Sequence, residues 1–562
     1  MSTDIKRING TQFDKLISSL GRYASGTNKN ALDMTYQAIL NGSNTTEVFK
    51  NWWPLSAGTD SKYERLCRFA RMLSATWSDK VYTLGYVKTG PTTMTPLDDL
   101  ANKSPAQLCT EGTDAIADWA DEDPMTWYVR ANALSLSDGT MNVIAVEGVD
   151  SEFDIYGNTA PVYTFCLALW IRKWNDGTNY YKSWCTSNRG GYRPYAGDVA
   201  PDGTKRDLTW RPTFPGGRDR NVNNKLGSGF GQKPFNRTSA NDGNTAAKRN
   251  DSYEGLWNDA DAIWALDMWQ LRHFNLENSD ICNGCQSYNF QFVVAAEETN
   301  TNRVLVSSSN AANIQVGSNI MIGTHPSGTN TDRSTAANFD IADNATVISK
   351  EVVEIDSNEY TALNLDVSNL TIPATAYVST APWNSGNTEN LPGHKDGACH
   401  SLIAGQNPLR VQGVELMSGA YDIGLDPLYN VTNFASSKGD YNIYECKNSE
   451  NLSGSITANY ENTGIVVKEV TQGWSYVKDF VDTDKAILFP SERGGASNTY
   501  YKSSFYGSGS AGVRCPWRYG HLRDDATAGL ACEAGPYTPS RSSWYGRPRL
   551  CGSGKKRGEW AT

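Results

Sequence analysis

Residues 488–552 read LFPSERGGASNTYYKSSFYGSGSAGVRCPWRYGHLRDDATAGLACEAGPYTPSRSSWYGRPRLCG. The stretch is rich in Gly, Ser, Tyr, Trp and Arg, and it lacks the apolar period expected of a core element. Tyr and Trp offer wide contact area at low entropic cost, while Ser, Gly and Asn supply adaptable hydrogen bonds. This composition predicts a packed substructure with a contact surface. We expect Trp544 to point inward and most of residues 500–525 to lie partly outward.

The predicted contact residues are the large aromatic and the charged side chains of this stretch. Aromatic rings supply stacking area, and Arg and Asp supply directional polar contacts. The predicted ligand-binding residues are Tyr501, Phe505, Tyr506, Trp517, Arg518, Tyr519, His521, Arg523, Asp524 and Asp525.

We recognise no catalytic motif elsewhere in the sequence that would indicate a different functional site. The histidines form no His-Glu-x-x-His motif, and the chain has no Gly-x-Ser-x-Gly elbow and no Walker loop. We therefore predict no enzyme activity, no catalytic residue, no metal and no cofactor.

Length and charge narrow the class of protein. A chain of 562 residues suggests roughly three to four structural units. The net charge of -10 repels phosphate backbones, so nucleic acid is not an expected partner. The sequence has no apolar run of the ~18 residues that a membrane span needs. The first residues, MSTDIKRINGTQFDKL, lack the apolar core of a signal peptide, so we expect synthesis in a cytoplasm.

Residues 1–120 are predicted to be a small helical docking module. Apolar residues recur three and four positions apart in two segments, which is the spacing of one helix face. They are Phe13, Leu16, Ile17, Leu20 and Tyr23, and then Tyr63, Leu66, Ala70, Leu73 and Trp77.

From Asp123 the pattern changes to alternating strands. Turns at 137–139 and 175–177 predict two β-hairpins. Residues 258–274 predict a helix capped by Asn258 or Asp259. Short strands in 301–375 predict a small β-barrel-like insertion, and residues 553–562 are assigned as a tail.

Cys282 and Cys285 form the Cys-x-x-Cys motif of the chain, which has 11 cysteines. A structural zinc site would need a second pair of ligands, and the nearest clusters are His273 and the Cys399–His400 pair. Structural thiols or one local disulfide are therefore favoured over a metal.

The strand pairs from Asp123, the helix at 258–274 with its Cys-rich turns, and the closing residues WYGRPRL at 544–550 together resemble the C-type-lectin-like fold. The variant is that of formylglycine-generating-enzyme-like proteins and phage tropism determinants. In this family the last strand typically reads Gly-x-Arg-Leu, and here one more residue separates Gly546 from Arg549. Residues 381–393 and 408–423 also resemble phage virion proteins that carry this fold.

The resemblance implies an α+β chain: a helical module at 1–120 and a lectin-like domain at 123–300 and 376–552, interrupted by the insertion at 301–375. It implies a phage receptor-binding protein, or adhesin, located in the virion. The expected partners are a host cell-surface ligand (protein or glycan), other virion proteins bound through the helical module, and further copies in a homo-oligomer such as a trimer.

In some members of this family a diversity-generating retroelement varies codons before the last strand, and the residues around 500–525 are compatible with such variation. Two alternatives remain open at this stage. One is an architectural virion protein of the head or tail with no host ligand. The other is an enzyme, either formylglycine-generating-like or carbohydrate-active. Cys515, Cys532 and Cys551 lie in the region where the enzymatic branch of the family carries its cysteines, but their surroundings do not look like that branch.

Overall fold

The computed structural model describes residues 34–39, 41–42, 44–87, 92–106, 108–109, 119–248, 252, 254–279, 284–285, 287–325, 333–391, 396–398, 407–481, 483–496, 500–552 and 557–560. The chain is an α+β protein with 17% helix and 37% strand, and the strands form mostly small antiparallel sheets.

The helices begin at capping side chains that the sequence supplies. The Asn44 side chain accepts a hydrogen bond from the Glu47 N–H, and Ser61 does the same for Glu64, which satisfies amide groups that the first turn leaves open. Residues 34–39 are helical, and the α-helices that follow among the described residues are α1 (Thr45–Leu55), α2 (Lys62–Thr76), α3 (Trp119–Glu122), α4 (Ala240–Ala247), α5 (Asp259–His273) and α6 (Ser308–Ala311). Short 3-10 turns lie at Pro124–Thr126, Ala196–Asp198, Ala336–Asn338, Asn387–Asn390, Ser449–Asn451 and Asp525–Thr527.

Helices α2 and α5 confirm two sequence predictions. Leu66, Ala70 and Leu73 of α2 are fully buried. Helix α5 begins with a capping box between Asn258 and Asp261 and is buried on nearly every side, as expected for a helix inside the core. The helix predicted around residues 13–23 lies outside the described residues.

Two sheets flank α5 and contain both predicted hairpins. The first is a five-stranded sheet in the order β2 (Thr95–Asp98), β1 (Tyr82–Tyr86), β8 (Tyr180–Cys185), β7 (Trp170–Asn175) and β9 (Arg193–Pro194). The second is a four-stranded sheet in the order β10 (Leu208–Pro212), β6 (Val162–Leu167), β4 (Tyr128–Ser135) and β5 (Met141–Val146). A small pair joins β11 (Gly217–Arg218) to β12 (Leu226–Gly227).

The carboxyl-terminal half contributes three further sheets. The largest has seven strands: β29 (Pro490–Arg493), β28 (Gly473–Phe480), β30 (Ser504–Gly507), β33 (Glu533–Ala534), β32 (Trp517–Arg518), β24 (Tyr421–Ile423) and β34 (Gly546–Pro548). One four-stranded sheet runs β27 (Glu461–Thr471), β26 (Lys438–Glu445), β25 (Leu428–Ala435) and β31 (Gly512–Arg514). The other runs β23 (Val414–Leu416), β22 (Leu409–Val411), β21 (Asp396–Ala398) and β3 (Leu108–Cys109).

The predicted insertion is a sheet with its own apolar core, and it extends beyond residues 301–375 on both sides. Its strands are β13 (Gln291–Val293), β20 (Tyr377–Ala381), β16 (Asn319–Gly323), β17 (Ala342–Ile355), β18 (Asn358–Leu365) and β15 (Arg303–Val306), with a separate pair of β14 (Glu298–Thr301) and β19 (Leu370–Ile372). The prediction of a barrel-like insertion is wrong, because β13 and β15 are the two edges of one open sheet.

The prediction of a separate helical module at 1–120 is also wrong for the part of it that the structure describes. Phe49 of α1 and Phe69 of α2 both pack on Trp127, with ring centroids 5.6 Å and 5.1 Å apart. Strand β1 pairs with β8. These helices and strands therefore share the main hydrophobic core with the rest of the chain.

The predicted tail also packs onto the main body of the protein at its described residues, 557–560. Arg557 is buried and forms an ion pair with Asp426 at 2.6 Å. The Trp560 ring lies edge-on to Trp170, with centroids 5.2 Å apart. The described part of the segment assigned as a tail is therefore docked on the protein body.

Candidate functional site

Most of the predicted contact residues are buried. Tyr501, Phe505, Trp517, Arg518, Tyr519 and His521 each expose 8% or less of their surface. The prediction that they face outward is therefore wrong. Strands β30 and β32 lie inside the seven-stranded sheet, between β28, β33 and β24, so both edges of each strand are paired with neighbouring strands.

Arg518 belongs to a buried ion cluster. Its guanidinium contacts Asp259 of α5 at 2.5 Å and Glu533 of β33 at 2.9 Å. Burial alone would lower the pKa of Arg518, but the two carboxylates hold it above its ordinary value. Burial raises the pKa of Glu533, and Arg518 opposes that rise. The cluster ties α5 to the sheet.

Trp517 and His521 belong to a dense aromatic cluster. The Trp517 ring lies 4.3 Å from Tyr537, and His521 stacks on Tyr545 at 4.5 Å. Burial, and then nearby arginines, lower the pKa of His521 to about 3, so its imidazole is neutral at physiological pH. Trp544 points inward as predicted and is fully buried.

Four of the predicted residues retain some exposure. Arg523 and Asp525 are exposed, and Tyr506 is half-buried with its ring 5.0 Å from Trp474. Asp524 exposes 8% of its side chain and accepts a hydrogen bond from the Tyr421 hydroxyl. Burial raises the pKa of Asp524 to about 6. The predicted surface is thus much smaller than the sequence suggests.

Ion pairs hold the last strand, β34, in the sheet. Arg547 and Arg549 contact the two carboxylate oxygens of Asp422 at 3.1 Å and 3.0 Å. The Arg549 guanidinium also lies 4.3 Å from the centre of the Trp257 ring. The arginines of the WYGRPRL segment therefore have a structural role.

A cleft lies beside Tyr501 and has a volume of about 260 Å³. One wall comes from β1, β7, β8 and β9, the other from residues 479–481 and 483–488, and α5 forms the floor. We call it the tyrosine cleft after the aromatic rings that line it, which belong to Tyr86, Trp174, Tyr180, Tyr181, Tyr195, Phe480 and Tyr501.

The floor of the tyrosine cleft carries a fixed polar network. Lys182 contacts Asp267 at 2.6 Å and donates to the Gln270 side-chain oxygen at 2.7 Å. The Tyr195 hydroxyl donates to the other oxygen of Asp267 at 3.0 Å, and the Trp184 ring N–H donates to Tyr195 at 2.8 Å. Burial alone would raise the pKa of Asp267, but Lys182 and other donors lower it below its ordinary value. Asp267 is therefore an ionised, fully paired carboxylate.

A hydrogen bond joins the two walls, and each wall also carries an exposed charge. The Arg193 guanidinium donates to the Thr483 carbonyl at 2.6 Å, which links β9 to the opposite wall. Lys173 on one side and Asp484 on the other are both exposed and both line the cleft. A ligand would meet a preformed site with donors and acceptors on facing walls.

Of the predicted contact residues, the structure brings Tyr501 alone to this cleft, among the residues that it describes. Lys182 and Asp267 were missed, although the sequence carried a signal for them. Lys182 shares a strand face with Trp184, and Asp267 lies between the apolar positions of α5. A charge on a buried face needs a partner, so two such charges suggest a pair.

The described cysteines are buried thiols. Burial raises the pKa of Cys515 to about 12 and also raises the pKa of Cys532 well above its ordinary value. Cys285 is buried, whereas Cys282, Cys399 and His400 lie outside the described residues. The prediction about the Cys-x-x-Cys pair therefore stays a prediction.

Among the described residues, no cluster of three or more His, Cys, Asp and Glu side chains is arranged to hold a metal ion. No helix in the same part of the chain is long and apolar enough to span a bilayer. No protein-family model matches the sequence, and a search of curated proteins finds no match. The C-type-lectin-like fold stays a prediction from the sequence.

Proposed function

We propose that this chain is a non-enzymatic ligand-binding protein, and that it serves as a receptor-binding protein of a phage virion. The observation that carries the proposal is the tyrosine cleft, a concave site built on sheet and helix with rings on its walls and a polar network on its floor. Sites placed on rigid elements hold their contacts more accurately than sites placed on loops.

The charges in the cleft favour binding over catalysis. A general acid or base works best when its pKa lies near the working pH. Asp267 is instead held ionised by Lys182 and Tyr195. The thiols of the alternative oxidase function, Cys515 and Cys532, are buried with raised pKa values, which disfavours the reactive thiolate.

The assignment to a phage virion rests on the sequence resemblance. In this proposal the cleft and the exposed Arg523 and Asp525 face the host ligand. Single weak sites gain avidity when several copies act together, which supports the proposed homo-oligomer.

An architectural virion role is the second candidate. Val466 on β27 and Trp474 on β28 are 45% and 39% exposed, and β27 is the edge strand of its sheet. Exposed apolar side chains beside a free strand edge suit contact with a neighbouring subunit.

Adsorption separates the two candidates. Labelled full-length protein is added to cells of the bacterium that the phage infects, and its ability to block phage adsorption is measured. We expect the wild-type protein and Arg172→Ala to block adsorption and Lys173→Ala to block it poorly. These residues are neighbours on β7, but Lys173 lines the cleft and Arg172 does not. If wild-type protein neither binds cells nor blocks adsorption, the receptor-binding function is wrong.

A further inference from the structure

The tyrosine cleft is lined by charged groups of both signs in nearly equal number, four basic and three acidic residues. The basic residues that line it are Lys173, Lys182, Arg193 and Lys485, and the acidic residues are Asp267, Asp479 and Asp484. The inner charges have partners within the protein: Lys182 contacts Asp267, and Lys485 contacts Glu445 at 3.2 Å. The exposed charges, Lys173 and Asp484, have opposite signs.

This balance disfavours a charged ligand. A cationic ligand would lie near Lys173, an anionic one would lie near Asp484, and like charges at close range raise the free energy of binding. A neutral ligand with several hydroxyl groups avoids both penalties. Its hydroxyls can donate to a carboxylate on one wall and accept from an ammonium on the other, and hydrogen bonds to charged partners are the stronger kind.

The rings give the cleft apolar surface held in fixed positions. Tyr180 on one wall and Phe480 on the other are both half-buried. Tyr180 stacks on Tyr86 with centroids 5.6 Å apart, and Phe480 packs edge-on to Tyr501 at 5.0 Å. The rings of Tyr180 and Phe480 are therefore each held in place by a neighbouring ring that also lines the cleft. A flat apolar face of a ligand could rest on either one.

The volume limits the ligand to a small unit. Sites for drug-sized molecules enclose about 300–1,000 Å³, and this cleft has about 260 Å³. A single six-membered sugar ring combines small size, hydroxyl groups around its edge and an apolar C–H face.

We propose that the tyrosine cleft binds one uncharged pyranose ring, as the end unit of a surface glycan. Lys173 and Asp484 contact its hydroxyls, and Tyr180 or Phe480 packs on its C–H face. This inference rests on the proposed receptor-binding function and specifies the ligand for it.

The test uses the full chain and small sugars of defined charge. Saturation-transfer NMR and calorimetric titration are run with the methyl glycosides of glucose, galactose, mannose and N-acetylglucosamine. Glucuronic acid and glucosamine serve as the charged counterparts. We expect at least one neutral glycoside to bind and the charged sugars to bind more weakly.

The matched variants are Lys173→Ala, Tyr180→Ala and, as control, Arg172→Ala. Lys173→Ala should weaken the affinity for the bound glycoside about tenfold or more, Tyr180→Ala should also weaken it, and Arg172→Ala should leave it within about twofold. Lys173 is exposed, so its replacement leaves the fold intact, which circular dichroism checks.

The outcomes separate this inference from the broader function. If no neutral glycoside binds, or a charged sugar binds more tightly, or Lys173→Ala binds as well as wild type, the sugar assignment is wrong. If in that case the protein still blocks adsorption, the receptor-binding function stands without it. If a neutral glycoside binds as expected but the protein never blocks adsorption, the sugar assignment stands and the receptor-binding function is wrong.

Discussion

Replacement of Arg518 by Met separates a structural from a ligand-binding role for the residues around 500–525. The sequence favours a contact role for Arg518, whereas in the structure it lies between Asp259 and Glu533 with almost no exposure. Methionine keeps the apolar stem of the side chain but lacks the guanidinium group and its charge. The change therefore tests the ion cluster while the packing of the stem is kept.

The expected cost follows from the carboxylates left behind. Removing one partner of a buried ion pair typically costs about 3–5 kcal/mol, because the remaining charge stays buried without compensation. Both Asp259 and Glu533 are fully buried. Protonation of Glu533, whose pKa burial already raises, limits the loss. We therefore expect Arg518→Met to lower the free energy of unfolding by about 3–5 kcal/mol at pH 7.

The pH dependence gives a second readout. Without Arg518 the pKa values of the two carboxyl groups rise further in the folded state, because the cation that opposes burial is gone. A raised folded-state pKa contributes stability that is complete at low pH and is lost as the pH rises. The deficit of Arg518→Met should thus be smaller at pH 5 than at pH 8.

Urea unfolding followed by tryptophan fluorescence measures both effects, with stabilities from linear extrapolation. Arg523→Met is the matched control, because Arg523 is exposed and such changes usually stay within about 0.5 kcal/mol. If Arg518→Met loses less than about 1 kcal/mol, or no more than Arg523→Met, then Arg518 does not hold the core and the reasoning fails.

Three further predictions use the same titration. Trp517→Ala should lower the free energy of unfolding by about 3–5 kcal/mol, since the Trp517 side chain is fully buried. The control Tyr506→Ala should lower it by about 1 kcal/mol. If the two variants lose similar amounts, the burial of Trp517 is contradicted. Burial raises the pKa of Asp524 from 3.8 to about 6. The free energy of unfolding should therefore fall by an amount on the order of 3 kcal/mol as the pH rises from about 4 to about 6. Asp524→Asn should reduce this dependence on pH. Arg557→Met should lower the free energy of unfolding by about 3–5 kcal/mol, because it leaves Asp426 buried without its cation. It should also speed the removal of the last residues by carboxypeptidase. Removal at the wild-type rate would contradict the docking of residues 557–560.

The local sequence pattern predicts an element correctly where the residues that determine its structure lie within the element itself. Helix α5 has a capping box and a dense apolar sequence, and the hairpin of β7 and β8 turns at an Asn-Asp-Gly sequence that favours such a turn. In each case the residues that decide the element lie inside it. Periodicity and turn chemistry therefore predicted these elements correctly.

Local pattern failed where burial comes from distant strands. Trp517 packs against Tyr421 of β24, the strand that pairs with β32 and lies about a hundred residues earlier in the chain, at 421–423. The sequence around Trp517 carries no sign of that partner. The same holds for the cleft, where Tyr86, Tyr180 and Phe480 come from separate parts of the chain.

The same composition can serve a contact surface or a core, and the arginines distinguish the two. A core rich in Tyr and Trp can include Arg only where a carboxylate compensates its charge, and Asp422 does so for Arg547 and Arg549 while Asp259 does so for Arg518. Asp259 and Asp422 lie far from these arginines in sequence, so residues 488–552 alone contain the cations but, of these buried partners, only Glu533. A cation without a dedicated buried carboxylate remains available to a ligand, and exposed residues such as Lys173 and Arg523 fit that description. The pairing of each cation, more than the density of aromatic residues around it, therefore indicates whether a Tyr- and Arg-rich segment forms a core or binds a partner.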